Sequence, residues 1–177
     1  QLGGTGTQKI ESELKNIFHK ASISRLDLDS APTAAKITNT LEKFSNKEID
    51  ILIGTRMIAK GLDFSNATLV GITNADTGLF LPDFRSGEKT FQLIYQAPGR
   101  AGRGEKKGEV VIQSYNSENQ IIQHASNLDL ETYYEQCLIE REELNYPPFS
   151  WLVRIEIKGR DKEKVLKTIN RLRAKLF

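Results

Sequence analysis

The chain has 177 residues, 38% of them hydrophobic and 27% charged, with a formal net charge of +2. That length suits one domain, or one and a fragment, and the composition excludes a disordered polymer. No apolar run approaches the ~18 residues of a membrane-spanning helix. The single cysteine, Cys137, excludes an internal disulfide framework or a cysteine-rich zinc site within this chain. The charge is uneven. Residues 151–177 carry nine Lys/Arg against three Asp/Glu, whereas the first 150 carry sixteen against twenty. This asymmetry predicts a change of module near 146–150, although a solvated helix face accounts for the basic tail equally well.

The opening QLGGTGTQ has no initiator Met, basic n-region or apolar h-region. It is not a signal peptide, and it reads as the interior of a longer chain. Thr5 followed by Gln8 fits a capping box, and Ile10, Leu14, Ile17 and Phe18 fall at helical spacing, which predicts a helix over 8–19. SISRLDLD (22–29) alternates like a strand, and Ile37, Leu41 and Phe44 predict a helix over 34–45. EIDILIGT (48–55) and ATLVGITNA (67–75) are β-branched runs of the kind buried in a parallel sheet. GLFLPDF (78–84) is broken by Gly and Pro and reads as a loop. Residues 86–97 form a helix with Phe91, Leu93, Ile94 and Tyr95 on its apolar side, and EVVIQSY (109–115) is a strand. Helices follow at 118–126 and 129–144. The alternation through 1–115 gives an α/β layer with a mostly parallel sheet flanked by helices. YPPF (146–149) breaks the chain. WLVRIEIKG then reads as a strand and DKEKVLKTINRLRAKL as a helix, together too short to close a core, so this β-α segment looks truncated.

Candidate chemistry narrows quickly. GGTGT matches neither GxxxxGK[ST] nor GxGxxG after a strand, and no acidic pair on a strand offers itself to Mg²⁺. His19 and His124 have no metal-ligand partner at helical spacing. Cys137 falls beside Tyr133 and Tyr134 on a predicted helix and reads as core. Two segments remain. In IGTRMIAKGLDF (53–64), Thr55 ends a strand, and Gly61 and Asp63 follow; ligands of open α/β sheets sit at strand C-termini. In QAPGRAGR (96–103), a helix delivers Gln96 to a glycine-rich turn with Arg100 and Arg103. A guanidinium fork suits phosphate and charge building on a transferred phosphoryl group.

The two segments resemble motifs V and VI of superfamily 2 helicases, T…(R/K)GxD and QxxGRxGR. NADTGLFLPDFRSGEKTFQLIYQAPGRAGRGEKKGEVVIQSYN (74–116) is similar to the corresponding stretch of the PriA family of replication-restart helicases. So are GTGTQKIESEL, LDLDSAPT and the RxELNYPPF pattern. RecG-type and chromatin-remodelling helicases share QxxGRxGR but lack the LPDFR lead-in.

The resemblance implies that 1–145 is most of the second RecA-like lobe, of the P-loop NTPase helicase C-terminal type, and that 146–177 starts a truncated C-terminal domain. It implies a fragment of an ATP-dependent 3′→5′ DNA helicase acting at stalled replication forks, with a RecG-like double-strand translocase or a non-catalytic binding module as alternatives. ATP with Mg²⁺ would be shared with a first lobe, and Zn²⁺ would be bound only by the full-length parent. Arg100, Arg103 and Gln96 would serve catalysis, Gly61, Asp63, Gly99 and Gly102 would lie by ATP, and Thr55, Arg56 and Lys60 would meet DNA. The partners implied are forked and single-stranded DNA, single-strand-binding protein and other primosome proteins, with no membrane, for a monomer in the bacterial cytoplasm. Two departures stand out. Family members often have Val-Ala where this chain has Ala97-Pro98, so the helix should stop around Gln96. Asp63 falls where PriA proteins vary, and its ribose role comes from the wider superfamily.

Overall fold

The computed structural model describes residues 6–26, 33–55, 67–100 and 108–176. The chain divides into two compact units, residues 1–135 and 136–177.

The first unit opens with α1 (Thr7–Ile17). Its exposed face is laced at i,i+4 spacing, with the Lys15 ammonium donating to Glu11 Oε1 at 2.7 Å. The N-cap is Gly6, with no side-chain cap, instead of the capping box expected from Thr5 and Gln8. Thr5 lies outside the described residues. Strand β1 (Ile23–Leu26) pairs in parallel with β2 (Ile51–Gly54), from Ile23↔Ile51 to Leu26↔Gly54. Parallel neighbours need a crossover, and α2 (Ala34–Ser45) falls within it. Thr33 caps this helix by accepting from the Lys36 N–H at 3.3 Å.

The pattern then repeats. β3 (Leu69–Ile72) pairs in parallel with β4 (Glu109–Ile112), and α3 (Ser86–Gln96) lies in the crossover between them. α4 (Gln120–Ser126) packs along α3, and α5 (Leu130–Glu143) follows. The core sits here. Phe91 and Ile94 on α3 are buried with Ala75, Ala97, Ile122, Ala125 and Tyr133. The Phe91 ring stacks on Tyr133 with centroids 3.9 Å apart and planes 6° from parallel. Buried Thr90 satisfies its hydroxyl by donating to the Ser86 carbonyl at 3.0 Å. The fold is thus mixed α/β, with parallel strands flanked by helices, as a RecA-like lobe is built. Strands expected at 22–29, 48–55, 67–75 and 109–115 are shorter where described. Chain ends beyond β3 and β4 bend into turns at Thr73 and Tyr115.

Three helices end alike, and none on glycine. Past α2, Lys47 takes φ 63°, the Lys47 N–H donates to Phe44 O, and the Glu48 N–H to Lys43 O at 2.9 Å. Leu128 (φ 57°) after α4 and Asn145 (φ 53°) after α5 repeat that pair of bonds. This is the Schellman cap, which normally recruits glycine for its left-handed residue.

In the second unit the end of α5 leads to the Pro147-Pro148 turn, whose linking peptide bond is cis. Arg141 Nη1 donates to the Pro147 carbonyl at 3.0 Å. Residues 151–159, expected to be a strand, form none. Among the described residues no second strand pairs with them, and Trp151 is 98% exposed. A strand without a ladder leaves its amide groups to water, so the apolar pattern alone does not make one. α6 (Lys162–Leu176) starts on Asp161, whose Oδ1 accepts from the Glu163 and Lys164 N–H groups at 3.0 and 3.2 Å. Among the described residues no helix is long and apolar enough to cross a membrane.

Candidate nucleotide and nucleic-acid interface

The QxxGRxGR segment grows out of the best-packed helix. Its first turn is braced by Asp83, which takes the Arg85 N–H at 3.0 Å and the Lys89 ammonium. That Lys89 bond, with help from the Arg85 backbone, holds the Asp83 carboxyl below its ordinary range. Ser86 Oγ donates to the Leu79 carbonyl at 3.4 Å, and Phe91 and Ile94 bind the helix to the core. α3 ends at Gln96, as the proline predicts. Ala97 is buried, its N–H donating to the Ile94 carbonyl at 3.0 Å. Pro98–Arg100 then makes one 3-10 turn. Proline suits this place because the first residues of a helical turn have no use for an N–H. Pro98 therefore ends one helix and begins the next turn.

Gln96 and Gly99 are both exposed. A Cβ at Gly99 would meet no atom within 4 Å, so the turn borders open space. Thr55 is half-buried immediately past the C-terminal end of β2, on the other ladder. Arg56, Lys60, Gly61, Asp63, Gly102 and Arg103 lie outside the described residues, and nothing is described of the Arg100 side chain.

Other expectations settle as structure. His124 Nδ1 lies 3.0 Å from Asp129 Oδ2, and Asp129 Oδ1 caps α5 through the Thr132 N–H at 3.2 Å. Hydrogen bonding from Thr132, then from His124, lowers the Asp129 pKa. His19 Nδ1 is 3.2 Å from the Lys15 carbonyl oxygen. Cys137 is a half-buried free thiol and Tyr134 is 45% exposed, so of the three residues grouped as core on α5 Tyr133 alone is one. Among the described residues no group of three or more His, Cys, Asp and Glu could hold a metal.

Sequence reasoning passed over Asp76, which is 4% exposed. It starts a 3-10 turn, Asp76–Gly78, that packs on α3, and its carboxylate takes hydrogen bonds from Ser114 and Tyr115. The local signal was modest: Asn74 Oδ1 accepts from the Thr77 N–H at 3.1 Å, a turn that NADTG allows but does not announce.

Residues 5–105 match the helicase conserved C-terminal domain, which makes the chain a member of that family. The chain is 44% identical over 169 residues to the replication restart protein PriA of Bacillus subtilis (strain 168), covering 96% of this chain and 21% of that protein. It is 40% identical over 172 residues to the PriA of Chlamydia trachomatis, covering 97% and 23%, and 42% identical over 164 residues to that of Treponema pallidum, covering 93% and 25%. Within the helicase class, the chain belongs to the PriA family. It spans about a fifth to a quarter of the length of these relatives.

Proposed function

We propose that this chain is part of an ATP-dependent 3′→5′ DNA helicase that recognises stalled or abandoned replication forks and starts primosome assembly. Residues 1–145 are its second RecA-like lobe, and 146–177 begin its C-terminal domain. The observation that carries the reading is the match to replication restart proteins over nearly the whole chain, including the QAPGRAGR segment. The placement of Gln96 at the end of a well-packed helix, before an open turn, supports it.

ATP with Mg²⁺ binds between this lobe and a first lobe and supplies the phosphoryl group whose cleavage drives movement. Gln96, Gly99, Arg100, Gly102 and Arg103 face the phosphates, with the guanidinium groups stabilising charge that builds as the terminal bond breaks. Gly61 and Asp63 approach the nucleotide. Thr55, Arg56 and Lys60 meet the DNA backbone, giving sequence-independent and salt-sensitive contacts. Zn²⁺ belongs to the parent protein outside these residues. The partners are forked and single-stranded DNA, single-strand-binding protein and primosome proteins, in the bacterial cytoplasm.

The test is Arg103→Ala in the full-length parent. DNA-stimulated ATP hydrolysis should fall by about 10³-fold or more, while affinity for single-stranded DNA stays within about threefold, as phosphate contacts made elsewhere persist. ATP turnover that survives this change defeats the arginine-finger assignment.

A further inference from the structure

The chain from Thr77 to Gln113 leaves β3, forms α3, passes through the Gln96–Arg100 turn and returns as β4. Its two ends are tied at one side chain. Asp76 Oδ1 accepts from the Ser114 hydroxyl at 2.9 Å, and Oδ2 from the Tyr115 N–H at 2.9 Å, thirty-eight and thirty-nine residues on. Beside this bond the Ala75 N–H donates to the Gln113 carbonyl at 3.0 Å, and Ser114 Oγ also accepts from the Asn116 N–H at 2.9 Å.

A carboxylate so buried is costly unless donors meet it. Apolar side chains would join two strand ends without that cost, and the neighbouring core already uses Ala75 and Phe91. What hydrogen bonds add is direction: both oxygens must point at fixed donors, so the joint has one geometry.

We propose that Asp76 is a positioning residue for catalysis. It clamps the base of this long loop so that α3 presents Gln96 and the Pro98–Arg100 turn at a fixed place. This deepens, and rests on, the helicase reading. The mechanical path is short. The 3-10 turn starting at Asp76 packs on α3, and the Leu79 carbonyl that follows it accepts from Ser86 Oγ in the first turn of α3. Slack at Asp76 therefore reaches the helix start. The helix is a stiff rod pivoting on Phe91 and Ile94, and it carries that slack to its other end. Misplacing a catalytic group by about 1 Å is enough to cost ~10²-fold in rate.

The experiment uses the full-length parent and measures DNA-stimulated ATP hydrolysis and thermal unfolding together. Asp76→Ala should lower kcat by roughly 10²-fold with the KM for ATP within about threefold. Asp76→Asn should stay within about tenfold of wild type: its amide oxygen can take the Tyr115 N–H while its NH₂ donates to Ser114 Oγ. Leu26→Ala, a core truncation on the other ladder, reports the loss caused by destabilisation alone. Equal kcat losses in Asp76→Ala and Asp76→Asn would overturn the clamp. So would a kcat for Asp76→Ala no lower than that of Leu26→Ala, or a KM that rises while kcat holds. If Asp76→Ala fails to fold, Ser114→Ala removes one of the two bonds. It should lower kcat by about 3–10-fold at unchanged KM, and an unchanged kcat overturns the proposal. The two readings fail differently. Wild-type protein without DNA-stimulated ATPase ends both, whereas activity abolished by Arg103→Ala yet retained in Asp76→Ala ends only the clamp.

Discussion

Helices α1 and α2, beside the β1–β2 ladder, bury no residue, whereas α3 and α4 bury Thr90, Phe91, Ile94, Ile122 and Ala125. The first ladder is joined to its helix by polar contacts: Arg25 on β1 donates through Nε to Glu11 Oε2 at 2.9 Å and through Nη1 to Thr7 Oγ1 at 3.4 Å. In the second half, α3 is held to α5 by an aromatic stack of Tyr95, Phe91 and Tyr133. Both ladders use the same strand–helix–strand plan, so the plan does not decide how firmly a helix is held. The residues facing inward do. The helix that carries Gln96 is the one held by close packing, as the proposed phosphate-facing turn would require of its support.

The sharpest way to break that contrast is to empty the stack. Phe91→Ala should cost about 3–5 kcal/mol in denaturant unfolding, the range for a large side chain removed from a packed core. Leu14→Ala on α1, where the side chain is only half-buried, should cost about 1 kcal/mol. Equal costs would show that the two ladders are held alike.

A smaller change works through the backbone and should affect both halves equally. Lys47 and Leu128 occupy left-handed conformations that an L side chain resists, and both side chains are exposed. Lys47→Gly and Leu128→Gly should each stabilise the protein by about 0.5–1 kcal/mol, read as a raised unfolding midpoint at unchanged m-value. Loss of stability at Leu128 alone would mean that its side chain contributes packing that its exposure does not reveal.

Local periodicity made much of this architecture legible. Ile37, Leu41 and Phe44 placed α2 over Ala34–Ser45, and Pro98 placed the end of α3 at Gln96. What escaped depends on distant partners or on unusual choices of residue. The Schellman caps were invisible because glycine, their usual signal, is absent. The run 151–159 alternates like a strand, but alternation describes only a face, and a strand also needs a neighbour to take its amides. Asp76 went unremarked because its donors lie thirty-eight and thirty-nine residues away. Of the candidate site, the motif spelled out the helix-to-turn geometry around Gln96. Arg103 and the Gly61–Asp63 stretch rest on resemblance.

The smallest effect probes the polar joint directly. Glu11 has its pKa lowered chiefly by the hydrogen bond from Lys15, with Arg25 adding to it and burial opposing. The ionised form is therefore favoured more in the folded chain than in the unfolded one. Its contribution is fully present above the unfolded value, near 4.5, and is lost as pH falls through the lower folded value. Asp83 and Asp129 are lowered too, so acid weakens both halves and a raw pH profile mixes them. Subtracting the profile of Glu11→Gln isolates the Glu11 charge, which serves Lys15 within α1 as well as Arg25 across the joint. The stability difference between wild type and Glu11→Gln should be constant from pH 7 down to about 5 and shrink below that. It should also shrink with added salt, because Lys15 is 56% exposed. A difference that holds constant through pH 3 would mean that the Glu11 contacts to Lys15 and Arg25 act through shape and not through charge, and the contrast between a polar and an apolar hold on the two halves would fall.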